Sequence, residues 1–219
     1  MTGEGVDRRR LIGLGLAVPA GIVLAGCTDD GPPTAGGAPT PGGPGSSAPG
    51  GGATLPATPA CADDDDETPA QTEGPYFTPG SPERANLTEP GLAGTSLVVT
   101  GTVLTRDCRP VSRALLDFWQ ADDGGAYDNS GFRLRGHQFT GADGTFTLTT
   151  IVPGLYPGRT RHIHVKAQAP DGPVLITQLY FPGEGGNAGD GIYNEALLLR
   201  DYRPRGGGRA GSFDFVLQT

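Results

Sequence analysis

Short runs rich in Val, Leu, Ile, Thr and aromatic residues alternate along the second half of the chain with clusters of Gly, Pro, Asp and Asn. The runs cover residues 96–104 (SLVVTGTVL), 114–120, 145–151, 162–168, 174–181 and 212–217. Their length and their β-branched content predict strands, and the turn signals between them predict an all-β sandwich or barrel. No stretch sustains the 3.6-residue period of an amphipathic helix, and only residues 195–199 could form a short one. No internal repeat is present.

The first 60 residues follow different rules. Arg8, Arg9 and Arg10 form a basic start with a twin-arginine look, followed by an apolar stretch over 11–24 that Gly and Pro interrupt. That stretch is too short and broken to read as a membrane span. Leu24-Ala25-Gly26-Cys27 resembles a lipoprotein signal-peptidase box, which makes residues 1–26 an export signal and Cys27 a lipidated N-terminus. A plain cleaved signal and an uncleaved anchor are the alternatives. Residues 27–60 are almost all Gly, Pro, Ala, Ser and Thr and cannot bury enough surface to offset ordering entropy. They read as a flexible tether to a domain over 61–219. The location expected is outside the cytoplasm, as a cell-surface lipoprotein or secreted protein, touching membrane only through its lipid.

Charge and cysteines narrow the picture further. The net charge of −8 becomes −9 once residues 1–26 are removed, since they hold three arginines and two acids. Such a balance gives no electrostatic basis for binding nucleic acid. The acidic run at 63–67 lacks the Gly and spacing of a calcium loop and reads as solvated. With Cys27 lipidated, Cys61 and Cys108 remain, and two cysteines in an exported domain favour a disulfide over two free thiols.

Candidate chemistry centres on His162-Ile163-His164, two of the three histidines in the chain. On a strand, residues i and i+2 face the same side, so both imidazoles can reach one metal ion. Two tyrosines sit in matching Gly-rich settings: Tyr127 in DDGGAYDN and Tyr156 in PGLYPGR. A trivalent ion can draw the proton from a phenol at neutral pH. Two phenolates, two neutral imidazoles and a hydroxide balance the charge of Fe(III), whereas zinc sites seldom use tyrosine.

At these residues the chain resembles the intradiol ring-cleavage dioxygenases, non-haem Fe(III) enzymes that include catechol and protocatechuate dioxygenases. The matching strings are TEGPYF at 72–77, DFWQADDGGAY at 117–127, TIVPGLYPGRTRHIHV at 150–165 and LITQLYFPG at 175–183. The resemblance implies a β-sandwich with iron held by Tyr127, Tyr156, His162 and His164, Tyr156 being the ligand that detaches when substrate chelates. It implies Arg159 as the arginine that stabilises developing negative charge, and Gln178 as a glutamine orienting substrate or ligand. It implies ring cleavage between the two hydroxyl-bearing carbons of a catechol-type substrate, with both atoms of dioxygen entering a muconate-type diacid. Two departures stand out. Gly141 replaces an acidic turn residue, and the short stretch from Tyr156 to His162 reshapes the pocket mouth. The helical dimerisation segment of catechol dioxygenases has no counterpart in the Pro/Gly-rich stretch. The competing reading is a non-catalytic iron- or phenol-binding β-sandwich lipoprotein.

Several other residues carry expectations. His137 reads as a hydrogen-bonded loop residue, Trp119 as core, and Tyr180, Tyr193 and Tyr202 as structural. Arg161 reads as solvent-facing. Tyr76 is open between substrate contact and packing with a hydrogen-bonded hydroxyl.

Overall fold

The computed structural model describes residues 67–219. Cys27, Cys61, the export signal and the tether lie outside them. Among the described residues no helix is long and apolar enough to cross a membrane. Cys108, in the turn that follows the first strand, is disulfide-bonded.

Among the described residues nine strands form two sheets: β1 (Ser96–Thr105), β2 (Leu115–Trp119), β3 (Arg135–Phe139), β4 (Thr145–Ile151), β5 (His162–Gln168), β6 (Val174–Tyr180), β7 (Arg200–Arg205), β8 (Gly208–Ser212) and β9 (Phe215–Leu217). One sheet has the order β4-β1-β8-β7, with β9 also on β1; the other has the order β3-β2-β5-β6. The fold is the all-β sandwich expected. Alternation builds its core: Leu97, Val99, Val103 and Leu148 from the first sheet meet Leu116, Phe118, Ile163, Val165, Ala167 and Leu179 from the second, all fully buried. Each such Val, Leu, Ile or Phe side chain contributes roughly 1.5–3 kcal/mol by leaving water.

The element boundaries differ from expectation in three places. The run at 212–217 is two strands, because Phe213 N–H bonds Thr100 O and Asp214 Oδ1 accepts Thr102 N–H at 2.7 Å between them. The expected helix is a single 3-10 turn, Glu195–Leu197, capped by the Asn194 side chain on Ala196 N–H. Strands β3, β7 and β8 carry no strong apolar alternation and escape the sequence pattern.

The second sheet's outer face is the one that matters for function. Its inner positions fill the core, so by period two the outward positions of neighbouring strands fall into rows. One row runs Arg135–Trp119–His164–Gln178, and the next runs His137–Asp117–Lys166. His162 pairs with Tyr180 on the other side. Residues 71–84 lie over this face and are tied to both edges. Gln71 N–H bonds Ile176 O on β6, while Arg84 N–H bonds His137 O and His137 N–H bonds Pro82 O on β3. Ser81 Oγ donates to Asp117 Oδ1 at 2.8 Å and lies 3.1 Å from His137 Nδ1. Lys166 Nζ pairs with Glu73 at 2.6 Å and sits 3.2 Å from the centre of the Phe77 ring. Both edges are thereby covered, which removes the template for edge-to-edge aggregation.

Candidate metal centre

The two tyrosine loops, 120–134 and 152–161, cross at glycines. Asp122 Oδ1 accepts Gly124 N–H and Ala126 N–H, curling the first loop, and Gly154 N–H bonds Asp122 O at 2.6 Å. A Cβ at Gly125, where φ is +85°, would lie 2.2 Å from Leu155 O; one at Gly154 would lie 2.4 Å from Asp123 O. Only glycine permits this approach. The Gly-rich settings therefore bring Tyr127 and Tyr156 together, with ring centres 5.8 Å apart and edge to face.

Beneath them, β5 aims both histidines at the same point. His162 Nε2 and His164 Nε2 are 3.2 Å apart, and Tyr127 Oη is 3.1 Å from each. His162 Nδ1 donates to Thr160 O at 2.7 Å, so Nε2 is the atom left with a free lone pair. His164 stacks on Trp119 at 4.8 Å, and its Nδ1 is buried with no hydrogen-bond partner among the described residues. Burial lowers the pKa of His162 to about 4, and burial followed by repulsion from His162 and Arg159 holds His164 well below its ordinary value. Both imidazoles are neutral at pH 7. Burial raises the pKa of Tyr127, so without a cation its phenol stays protonated.

This donor set fits a metal ion. Bonds of about 2.1 Å, the zinc–imidazole length, set at right angles, place neighbouring ligand atoms about 3.0 Å apart. The Nε2–Nε2–Oη triangle has that size. Three donor atoms converge at this spacing with both imidazoles neutral, the arrangement in which they can share one cation. The fourth expected donor, Tyr156, is oriented by Tyr76, whose Oη lies 2.7 Å from Tyr156 Oη. Tyr76 also stacks on Tyr127 at 4.6 Å, so both readings of Tyr76 converge on a hydroxyl beside the centre.

Arg159 joins the site through a network. Its Nε donates to Asp190 Oδ2 at 2.8 Å, and its Nη2 donates to Gln178 Oε1 at 2.7 Å and to Tyr180 Oη at 3.2 Å. Asp190 Oδ2 also accepts Thr160 N–H at 2.9 Å. Burial opposes the Asp190 charge, yet the bonds from Ile192 N–H, Thr160 N–H and Arg159 together hold its pKa below the ordinary carboxylate value. Gln178 turns its amide N–H to Thr72 O, so it touches Arg159 and the overlying segment rather than the imidazoles.

Asp190 and Arg135 escaped sequence reasoning, and the structural reading of Tyr180 holds but omits its bond to Arg159. Tyr180 is no bystander: burial pushes its phenol up to about 12, where it serves as a neutral partner for Arg159, with Gln71 Oε1 at 2.8 Å. Arg161 is not solvent-facing, since its Nε donates to Glu184 at 2.8 Å and its Nη1 to Pro153 O. Trp119 is core, as expected, and also forms the floor under His164. His137 is hydrogen-bonded, as expected, but on a strand.

Known proteins support this reading. A family model described as Dioxygenase (Dioxygenase_C) matches residues 72–219. The hydroxyquinol 1,2-dioxygenase of Nocardioides simplex is 32% identical over 143 residues, covering 54% of this chain and 49% of that one. The chain spans about half the length of the curated relatives it matches. The dioxygenase domain of a dioxygenase–carbohydrate-binding fusion protein from Streptomyces sp. SirexAA-E is 63% identical, with a TM-score of 0.68, covering 70% of this chain and 99% of that one. The 3-chlorocatechol 1,2-dioxygenase of Rhodococcus opacus 1CP is 30% identical, with a TM-score of 0.63, covering 68% of this chain and 72% of that one. The motifs, the sandwich and the converging tyrosine and histidine atoms agree with these matches, and the chain belongs to the intradiol ring-cleavage dioxygenase family.

Proposed function

We propose that this domain is a ferric-iron enzyme that opens the ring of a catechol-type substrate between its two hydroxyl-bearing carbons, with dioxygen, to a muconate-type diacid. The observation that carries the reading is the triangle of His162 Nε2, His164 Nε2 and Tyr127 Oη, with sides of 3.1–3.2 Å, in a member of this family. Relatives bear the names of hydroxyquinol, chlorocatechol and catechol dioxygenases, and these names support an ortho-dihydroxybenzene as the substrate class.

His162, His164, Tyr127 and Tyr156 would hold the iron. Bound there, it would act as a Lewis acid that favours the phenolate and catecholate forms. The chain's own groups do the rest. Thr160 O fixes the His162 tautomer so that Nε2 faces the centre. Tyr76 Oη, 2.7 Å from Tyr156 Oη, holds that phenol when it takes a proton and leaves room for substrate. Arg159 is aimed by Asp190, Gln178 and Tyr180, and its Nη1 makes no hydrogen bond among the described residues. That donor is free to stabilise negative charge as it develops, a role worth about 3 kcal/mol by comparison with an oxyanion-hole donor. Residues 1–60 add a proposed location: an exported domain held off the membrane by a lipid on Cys27.

Metal analysis and a visible spectrum of purified protein test the reading. One iron per chain with a tyrosinate-to-iron absorption band supports it; a colourless protein that takes only zinc after iron reconstitution refutes it.

A further inference from the structure

Arg135 is the most deeply buried cation among the described residues, at 1% exposure, and it makes no ion pair among them. A buried arginine ordinarily meets a carboxylate, because desolvating its charge otherwise costs several kcal/mol. Here its fork is spent on backbone carbonyls. Nη1 donates to Tyr76 O at 2.6 Å, and Nε and Nη2 donate to Asp128 O at 3.0 and 2.7 Å. Those carbonyls belong to Tyr76 and to the residue directly after Tyr127. The same two tyrosines stack at 4.6 Å.

Register adds the other end. Arg135 stands in the row with Trp119 and His164, so its strand is joined through β2 to the strand that carries the histidines. Asp128 is locked in turn, its carboxylate accepting Ser130, Gly131 and Arg133 N–H. One guanidinium thereby ties three separate pieces of chain: the overlying segment at Tyr76, the loop at Tyr127, and the sheet beneath His164.

We propose that Arg135 is a positioning residue for the metal centre, a clamp that fixes Tyr127 and Tyr76 over the β5 histidines while setting a buried positive charge beside the tyrosines. The bidentate grip on one carbonyl uses the planar fork and five donors of arginine, which lysine lacks. The inference rests on the ferric reading above, so the wild-type protein serves as the control for that reading.

Two variants test it in the full chain: Arg135→Met, which keeps the stem and drops the fork, and Arg135→Lys, which keeps the charge and drops the bidentate grip. The readouts are ferric-iron affinity in competition with a chelator, the energy of the tyrosinate-to-iron band, and the near-ultraviolet circular dichroism of iron-free protein. Arg135→Met is expected to weaken iron binding about 10–100-fold, the range for groups that orient metal ligands, and to shift the band. Arg135→Lys is expected to fall between it and wild type, with the tyrosine dichroism altered in both. If Arg135→Met does not fold, Arg135→Lys decides alone. Unchanged affinity and band energy in a folded variant, with iron-loaded wild type, would overturn the clamp. Failure of wild type itself to bind iron would instead overturn the ferric reading, and the clamp with it.

Discussion

Replacing Asp190 by asparagine should disturb catalysis without touching the metal. The Asp190 side chain is 2% exposed and accepts three bonds: Arg159 Nε at 2.8 Å and Thr160 N–H at 2.9 Å on Oδ2, and Ile192 N–H at 3.1 Å on Oδ1. An asparagine offers one oxygen. Whichever way the amide turns, its NH2 faces a donor, and at least one of the three donors is left unpaired. A hydrogen bond to a charged group contributes roughly 1.5–3 kcal/mol, and an orphaned buried donor costs about 1–3 kcal/mol. Arg159 is partly solvated, which lowers the total, so a loss of about 2–4 kcal/mol is expected. For a domain of this size that corresponds to a drop in Tm on the order of 10 °C. Arg159, held only by Gln178 and Tyr180, should wander, and turnover should fall by about 10-fold, a fraction of the 10²–10³ expected for losing a donor outright. Iron content and the visible band should not change. The folded-state pKa of Asp190 lies below the ordinary value, so its contribution is complete above that value and disappears as pH falls through the folded pKa. The gap in Tm between wild type and Asp190→Asn should therefore close in acid. Thermal melts across pH, with steady-state kinetics at neutral pH, make the test. A variant with wild-type Tm and turnover would refute the assigned role of Asp190.

Other perturbations separate the parts of the site. His162→Ala and His164→Ala should each abolish stoichiometric iron binding while the β-sheet circular dichroism persists, since both residues lie outside the inter-sheet core; His137→Ala should keep its iron. Gly125→Ala places a Cβ where Leu155 O stands at 2.2 Å, so the tyrosine loops should separate and iron occupancy should fall with the sheets intact, as metal analysis and far-ultraviolet dichroism would report. Iron-free protein should lose stability as pH falls from about 6.5 to 4, because the unfolded chain protonates His162 across that range and the folded chain does not. The loss from this residue is about 3 kcal/mol at most, readable as a falling denaturation midpoint.

Much of this was legible in the sequence because its causes are local. Strands β1, β4, β5 and β6 announce themselves through runs of Val, Leu, Ile and Thr that face a core. Strand β7, RDYRPR, is an exposed edge strand with a proline, and β8, GRAGS, has glycines where side chains would pack, so neither shows the pattern. The His-x-His pair and the glycine-flanked tyrosines were legible for the same reason, period two in one case and a forced close approach in the other. Arg135 and Asp190 were not. Arg135 acts because β3 pairs with β2 in a register that sets it two strands from His164. Asp190 acts because a loop thirty-one residues from Arg159 folds back onto it. Nothing in the spacing of either residue encodes those contacts.

The most direct measurement is the product formed from catechol by the iron-loaded domain under isotopically labelled dioxygen. The expected product is a muconate-type diacid from cleavage between the two hydroxyl-bearing carbons, with label from both atoms of dioxygen. A semialdehyde from cleavage beside the hydroxyls, or an iron-loaded protein that chelates catechol and releases it intact, would contradict it.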